Sequence, residues 1–324
     1  MGAVFEGKGK GREMSIPLSI LFWIVVIPGT VAVGLLASWI VRKVSALVQW
    51  RVGPPLFQPA YDVMKLLGKE ILIPQEAQRA VFVMAPLVGL AGILLLSIIL
   101  WRTALAHTAF VGDIIVAVYL MVLPSLALIF GSSASASPHA AIGTGREMKL
   151  VLGYELSLVL AFIVVIIKVG GQLNLAAIAQ HTSVFSISGM LAFLVALLCM
   201  QAKLGFVPFD IAEAETELGS GVLMEYSGAL LAVWKLMQAT MLVGLPLFLV
   251  MVFLGGFGTS SAAALAAGIG KYVLILVLLI LIKNTNPRVR IDQAMKFFWF
   301  YCGITLVVAV ILASIGNYCD ISWL

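Results

Sequence analysis

The stretch SGALLAVWKLMQATMLVGLPLFLVMVFL, residues 227–254, contains one charged side chain, Lys235, in a run long enough to cross a lipid bilayer. A crossing needs about 20 apolar residues. The same composition extends over the whole chain, since 62% of its 324 residues are hydrophobic and only 11% are charged. Soluble globular proteins have about 25% charged residues. The composition therefore predicts an all-α polytopic membrane protein and excludes a soluble, fibrous or disordered chain.

Eight apolar runs bounded by charged residues or by Gly and Pro clusters are predicted to be membrane-spanning helices. They cover residues 16–41, 80–100, 114–131, 150–169, 187–205, 227–254, 272–283 with the apolar stretch 262–270 before it, and 297–316. We expect one transmembrane domain, residues 16–316, with an N-terminal tail, 1–15, and a C-terminal tail, 317–324.

Positive charge is divided unevenly between the two sides that eight spans create. Thirteen of the 20 Lys and Arg residues fall in or beside the loops 42–79, 132–149, 203–226 and 284–296, and six fall on the other side. Cytoplasmic loops carry the excess of Lys and Arg. This pattern predicts a multi-pass protein of the cell membrane with these loops in the cytoplasm and both termini outside. The formal charge of +5 is then a property of membrane-flanking loops, and no nucleic acid partner is expected.

The first of these loops contains RVGPPLFQPAYDVMKLLGKE, from Arg51 to Glu70. After the Pro-rich turn, apolar residues recur with helical spacing from Ala60 to Ile71, while Asp62, Lys65 and Lys69 occupy another face. This spacing predicts an amphipathic interfacial helix within 51–72. It is interpreted either as a membrane-surface anchor or as a lid over a cavity that opens at the cytoplasmic surface.

The acid loop, residues 206–226, carries the densest cluster of carboxylates. Asp210, Glu213 and Glu217 follow the spacing of one helical face, with Glu215 turned away and Glu225 further on. We expect repulsion and desolvation to raise their pKa values, and Glu213 and Glu217 to share a proton. The alternative is a solvated acidic surface.

Two ionisable residues interrupt predicted spans. Glu155 lies about five residues inside the fourth span and Lys235 lies within the sixth. Charges at that depth are costly, so both residues are candidates for proton or ion coupling. Lys203 and Lys168 lie near span ends, where their long side chains are expected to reach the interface.

The last cytoplasmic loop, NTNPRVRIDQAMK from Asn284 to Lys296, is basic. Arg288, Asp292 and Lys296 have the spacing of a local ion-pair ladder. The alternative is a docking surface for a soluble partner. The predicted partner interface comprises Arg51, Asp62, Lys65, Lys69, Arg288, Arg290, Asp292 and Lys296.

Metal-ligand patterns are absent from the sequence. Cys199, Cys302 and Cys319 form no CxxC pair, and the three histidines are far apart. The cysteines are interpreted as small buried hydrophobic residues. We expect neither a metal nor a redox cofactor in this chain.

Taken together, these segments resemble the eight-helix membrane subunit shared by respiratory complex I and the energy-converting membrane-bound nickel-iron hydrogenases, including their sulfur-reducing relatives. The resemblance covers most of 16–316. It is carried by the Arg51–Glu70 segment, by GYELSL around Glu155, by VPFDIAEAETELGSG and by EYSG at 225–228. The segments GSSASASPHAAIGTGREMK and NPRVRIDQAMKFFW look more like the hydrogenase branch.

The resemblance implies a subunit without its own redox centre, and it implies no catalytic residue. Nickel-iron and iron-sulfur centres are expected in partners, namely a hydrogenase-like large subunit and an iron-sulfur small subunit, with ferredoxin acting indirectly. Antiporter-like membrane subunits and the lipid bilayer complete the expected surroundings. By resemblance, Glu213, Glu215, Glu217 and Glu225 match an acid cluster, Glu155 matches the next intramembrane carboxylate, and Asp210 matches the acid of a PFD element.

Three functions remain open at this stage. The first is a membrane-anchoring and coupling subunit of a ferredoxin-linked, ion-translocating oxidoreductase. The second is the quinone-chamber subunit of a complex I-like dehydrogenase. The third is a stand-alone proton or ion antiporter that uses Glu155 and Lys235.

Overall fold

The computed structural model describes residues 16–106, 112–213, 217, 219, 221–258, 261–319, 321 and 323. These residues form helices and connecting turns, with no strand among them. The helices are α1 Ile16–Val48, α2 Gln58–Leu67, α3 Arg79–Ala106, α4 Asp113–Ser133, α5 Pro138–Lys168, α6 Leu175–Ile178, α7 Ile187–Lys203, α8 Gly228–Phe253, α9 Ala262–Thr285 and α10 Ile291–Tyr318. A π-helical turn, Phe297–Cys302, lies within α10.

The predicted all-α, polytopic architecture is confirmed. Within the described ranges, seven helices are long and apolar enough to cross a membrane, and α7 is a shorter apolar helix. At 17 residues, α7 is about 26 Å long. Several bounds differ from prediction; for example, α3 continues to Ala106 and α10 starts at Ile291. Helix α1 continues to Val48. Helix α5 starts at Pro138 rather than near residue 150, because the fixed φ angle of proline is compatible with the first turn of a helix.

The core is organised around two helices. Helix α8 is buried over almost its whole length and packs against α1, α2, α3 and α9. Its side chains Trp234, Phe248 and Phe253 are fully buried. Helix α5 packs against α4, α7 and α10. Nearly all of its apolar side chains are in contact with other protein groups, so α8 is the central helix of the bundle.

The four loops predicted on one side gather at one end of the bundle. The Leu72 amide donates to Ser227 Oγ at 2.9 Å, and the Gln78 amide donates to the Ala134 oxygen at 3.0 Å. The Val289 amide donates to the Pro208 oxygen at 3.1 Å. We call this end, with the described residues of the loops 49–78, 134–137, 204–227 and 286–290, the loop face.

The amphipathic helix of the first loop is α2. Its buried residues Pro59 and Val63 face the bundle, while Tyr61, Met64 and Leu67 are exposed. The helix ends at Leu67, so the expected extension of the helical pattern to Ile71 is wrong. The preceding segment is fixed to α1, since Lys43 Nζ donates to the Val52 oxygen at 2.5 Å.

The contact of α1 with α8 depends on Gly34. A Cβ atom at this position would lie 2.6 Å from the Ala239 main-chain oxygen, whereas one at Gly29 would meet nothing within 4 Å. Close backbone approach through small residues is a common means of helix packing in membranes.

We expect Gly34→Ala to destabilise the full chain by about 1–3 kcal/mol, because the new methyl group must push α1 from α8. The control Gly29→Ala should change stability by less than about 0.5 kcal/mol. Denaturation with SDS in mixed micelles measures both. Equal effects of the two variants would contradict this packing.

Candidate functional site

The centre of the site is an ion pair between α7 and α5. Lys203 Nζ donates to Glu155 Oε1 and, at 3.0 Å, to the main-chain oxygen of Met121 in α4. The Lys203 side chain is fully buried and that of Glu155 is 17% exposed. Nζ also lies 5.3 Å from the centroid of the Tyr154 ring. A carboxylate, a carbonyl oxygen and an aromatic face thus compensate for the loss of hydration of the buried Lys203 ammonium.

This pair corrects two expectations. Lys203 does not extend to the interface, because its amine has a carboxylate partner inside the bundle. Glu155 also lies deeper than expected, near the middle of α5, since that helix starts at Pro138. Sequence reasoning missed Lys203 because the two partners are on different helices and no spacing rule links them.

Hydrogen bonds hold α5 in place beside the pair. Tyr154 Oη and Ser125 Oγ of α4 are 3.0 Å apart. Ser157 Oγ donates to the Phe298 main-chain oxygen at 3.0 Å, inside the π-helical turn of α10. Such turns are frequent at functional sites. Glu155 is therefore presented from a segment anchored on both sides.

Among the described residues of the acid loop, Asp210 and Glu213 do not lie on the predicted helical face. Asp210 and Glu213 lie in an irregular segment, where Phe209, Ile211 and Ala212 are buried. Burial of these apolar residues holds this part of the chain against the bundle. Gly221 closes the loop: its φ is +47°, and a Cβ atom would lie 2.0 Å from the Ala212 oxygen.

The described carboxylates of the loop have different partners. Arg288 Nη2 donates to Asp210 Oδ2 at 2.6 Å, and Gln238 Nε2 donates to Glu213 Oε1 at 2.8 Å. Arg146 Nη1 donates to Glu217 Oε2 at 2.8 Å. Glu225 is half-buried, and Glu215 lies outside the described residues.

The expected sharing of a proton by Glu213 and Glu217 is wrong. The Glu217 side chain is 64% exposed. The hydrogen bond and charge of Arg146 lower the pKa of Glu217, and Arg288 and Arg290 act in the same direction. Arginines, rather than a second carboxylate, dominate its surroundings, so Glu217 is an ionised surface residue.

A cavity of about 560 Å³ opens between α1, α2, α8 and the acid loop. Its wall includes Val63 and Leu66 of α2, as the lid interpretation of that helix requires. Lys235 also lines it. This lysine is exposed, and its Nζ donates to Gln238 Oε1 at 3.2 Å, so it lies beside a polar cavity rather than in an apolar interior.

A second cavity, of about 40 Å³, adjoins the ion pair. Lys203, Asp210, Glu213 and Gln238 line it, together with Glu147 of α5, a carboxylate that sequence reasoning missed. The sequence signal that could have found it is Pro138, which marks the start of a helix. A helix that starts there contains Glu147, which was expected in a loop.

The predicted partner interface lies on the loop face. Asp62 is half-buried, and the exposed members are Arg51, Lys65, Lys69, Arg288, Arg290, Asp292 and Lys296. The expected ladder from Arg288 through Asp292 is wrong, because α10 starts at Ile291 and Arg288 pairs with Asp210. Asp62 is bound by Arg42 at 2.8 Å, and this hydrogen bond lowers the pKa of the Asp62 carboxyl.

Cysteine and metal-ligand positions were also part of the prediction. Cys199 and Cys302 are buried as predicted, whereas Cys319 is exposed because it follows the last turn of α10. Within the described ranges, no three His, Cys, Asp or Glu side chains lie close enough together to hold a metal ion.

A sequence model of the family described as NADH dehydrogenase matches residues 20–314. The chain belongs to this family. NADH dehydrogenase relatives include the H subunit of the NADH-quinone oxidoreductase of Geobacillus thermodenitrificans, which is 31% identical over 306 residues, 90% of this chain and 91% of the relative. The corresponding protein of Anoxybacillus flavithermus is 33% identical over 290 residues, 85% of this chain and 86% of the relative.

Among solved structures, a chain of the membrane-bound sulfane sulfur reductase, an archaeal respiratory membrane complex, is similar to this NADH dehydrogenase family member. The TM-score is 0.84 and the identity 28%, with 91% of this chain and 99% of that chain covered. The family expected from the sequence is therefore confirmed. The chain is a complex I-like, multi-pass membrane protein whose relatives are subunits of multisubunit respiratory complexes.

We expect Lys203→Met to destabilise the chain by about 3–5 kcal/mol, because Glu155 is left as an uncompensated charge. Glu155→Gln should have a similar cost, since it leaves the ammonium unpaired. The double variant Glu155→Gln/Lys203→Met should be more stable than either single variant. The exposed pair provides the control, as Arg146→Gln should change stability far less than any of these. SDS titration of the full chain measures all four, and strict additivity of the two single changes would contradict the ion pair.

Proposed function

We propose that this chain is the membrane-anchoring and coupling subunit of a ferredoxin-linked, ion-translocating oxidoreductase of the membrane-bound hydrogenase or sulfur reductase type. It links a soluble redox arm, seated on the loop face, to antiporter-like membrane subunits. The observation that carries the proposal is a series of ionisable groups, Asp210, Glu213, Lys203 and Glu155, which leads from the loop face to the middle of α5.

The wall between the two cavities supports a coupling role. Asp210, Glu213 and Gln238 line both the large cavity and the small one. A change of charge or a displaced side chain in the large cavity therefore acts on the groups that face Lys203. Electrostatic interactions with Lys203 are strong because its side chain is fully buried.

Resemblance and structural similarity support the choice of branch. The sulfane sulfur reductase chain is covered almost completely by this one, and the 131–149 and 286–299 segments resemble the hydrogenase branch more than the quinone-reducing one. On this proposal, nickel-iron and iron-sulfur centres reside in a hydrogenase-like large subunit and an iron-sulfur small subunit. The loop face is cytoplasmic, and both termini are outside.

A quinone-chamber subunit is the second candidate. The cavity of about 560 Å³ favours it, because ligand pockets commonly have a volume of about 300–1,000 Å³. The NADH-quinone oxidoreductase relatives favour it as well. Under this alternative, the exposed Lys235 and the paired Arg288 would be placed at the chamber wall.

Purification and cross-linking test the partner assignment. In inverted vesicles, a membrane-impermeant amine cross-linker should join Lys65, Lys69 or Lys296 to a hydrogenase-like large subunit, because these amines are on the cytoplasmic face. Right-side-out vesicles, the control, should give none of these products. A chain that purifies alone from mild detergent supports the antiporter instead. Turnover with a quinone but not with sulfur species or protons supports the quinone chamber.

Ion pumping tests the coupling role. We expect Glu155→Gln/Lys203→Met to keep the complex assembled and the electron transfer active while ion uptake per electron falls about tenfold or more, because the titratable pair is gone. The double variant is used because Glu155→Gln alone leaves a buried, unpaired ammonium. Glu76→Gln, an exposed acid outside the series, is the control. Normal pumping by an assembled double variant would exclude an essential role for the pair.

A further inference from the structure

Glu147 is a half-buried carboxylate without an assigned role. It lies in α5 about two turns before Glu155. Its neighbour Arg146 pairs with Glu217. Among the described residues, no hydrogen bond or ion pair is formed by the Glu147 carboxylate itself. A carboxylate removed from bulk water needs partners, so its surroundings must supply them in another way.

The small cavity supplies them. Its volume of about 40 Å³ exceeds the roughly 10–15 Å³ that one water molecule needs. A water molecule also needs two to four polar partners. The cavity wall offers Glu147, Glu213, Lys203, Gln238 and Ser125. Water in this cavity can therefore bridge the carboxylates of Glu147 and Glu213 and reach the Lys203 amine.

Each element packed around Glu147 contributes a charged or polar group. Glu213 and Lys203 are close enough to interact with Glu147 electrostatically. The acid loop adds Asp210, which is paired with Arg288, and α5 itself adds Tyr154 and Glu155. Helices α4 and α8 contribute the neutral groups Ser125 and Gln238. Three carboxylates, those of Glu147, Asp210 and Glu213, thus line the cavity together with one ammonium, and the ammonium is already bound to a fourth carboxylate, Glu155.

We propose that Glu147 carries the proton between Glu213 and the Lys203–Glu155 pair, through water held in the small cavity. The step breaks an O–H bond at the Glu213 carboxyl group and forms one at the Glu147 carboxylate, with water passing the proton on. Glu213 is then reprotonated from the loop face. The second step breaks the O–H bond at Glu147 and forms an N–H bond at Lys203, while Lys203 gives one of its protons to the Glu155 carboxylate. Lys203 thus remains an ammonium, Glu155 becomes neutral and Glu147 is again a carboxylate. The inference rests on the proposed coupling function and adds a residue to it.

Glu147→Gln tests the inference in the assembled complex, in inverted vesicles with reduced ferredoxin as electron donor. The change keeps the shape and removes the titratable group. We expect electron transfer to continue while ion uptake per electron falls about tenfold or more. Infrared difference spectra should lose one carboxyl band relative to wild type. Glu147→Asp should restore pumping with a shifted pH profile, because the acid is retained and its distance to the cavity water changes.

The other outcomes are equally informative. Normal pumping and an unchanged pH profile in Glu147→Gln, while Glu155→Gln/Lys203→Met is deficient, would overturn the role of Glu147 and leave the proposed function intact. Normal pumping in both would overturn the proposed function itself. Failure of both Glu147→Gln and Glu147→Asp to assemble would show a structural role and overturn the inference. Glu76→Gln remains the control for a lost surface charge.

Discussion

Burial of the Lys203 ammonium is the constraint on which the arrangement of this bundle depends. An ammonium is stable inside a low-dielectric bundle only with compensation, and Glu155, the Met121 carbonyl and the Tyr154 ring supply it from α5 and α4. Each of these groups must stay within reach of α7. The Tyr154–Ser125 contact and the bond from Ser157 to the π-helical turn of α10 hold α5 accordingly. The buried Lys203 charge thus constrains how α4, α5, α7 and α10 pack together.

Ion pairs in this protein become more buried from the loop face inward. Arg146–Glu217 is largely exposed and screened by water, Arg288–Asp210 has a mostly covered carboxylate, and Lys203–Glu155 is buried. Interaction between charges grows as water is excluded. A partner that alters the outer ion pairs therefore changes the electrostatic environment of the inner pairs, where interactions between charges are stronger. This gradient gives the loop face a physical means of influencing the interior of the bundle.

The irregular segment 204–213 separates two cavities of very different size. Asp210 and Glu213 line both cavities, because a single stretch of chain forms the wall between them. The buried side chains of Phe209, Ile211 and Ala212 hold this stretch in place. A regular helix would have directed these carboxylates to a single face. Gly221 permits the closure of the loop onto Ala212. Loss of helical regularity is therefore what places the acids between the surface and the ion pair.

Composition and local periodicity were enough to determine the all-α polytopic class, the helix order and the amphipathic α2, because one bilayer crossing and one amphipathic helix are local properties of the chain. The family was expected from the resemblance of particular motifs rather than from composition. They also indicated Glu155 and the acid loop as unusual. The partners of these residues were decided only by the tertiary structure. Arg288 is 78 positions from Asp210, and Lys203 is 48 positions from Glu155. Glu147 was missed because Pro138 begins α5 earlier than hydropathy suggests. Pairing of distant charges depends on how helices pack, and helix packing is not encoded in any single window of sequence.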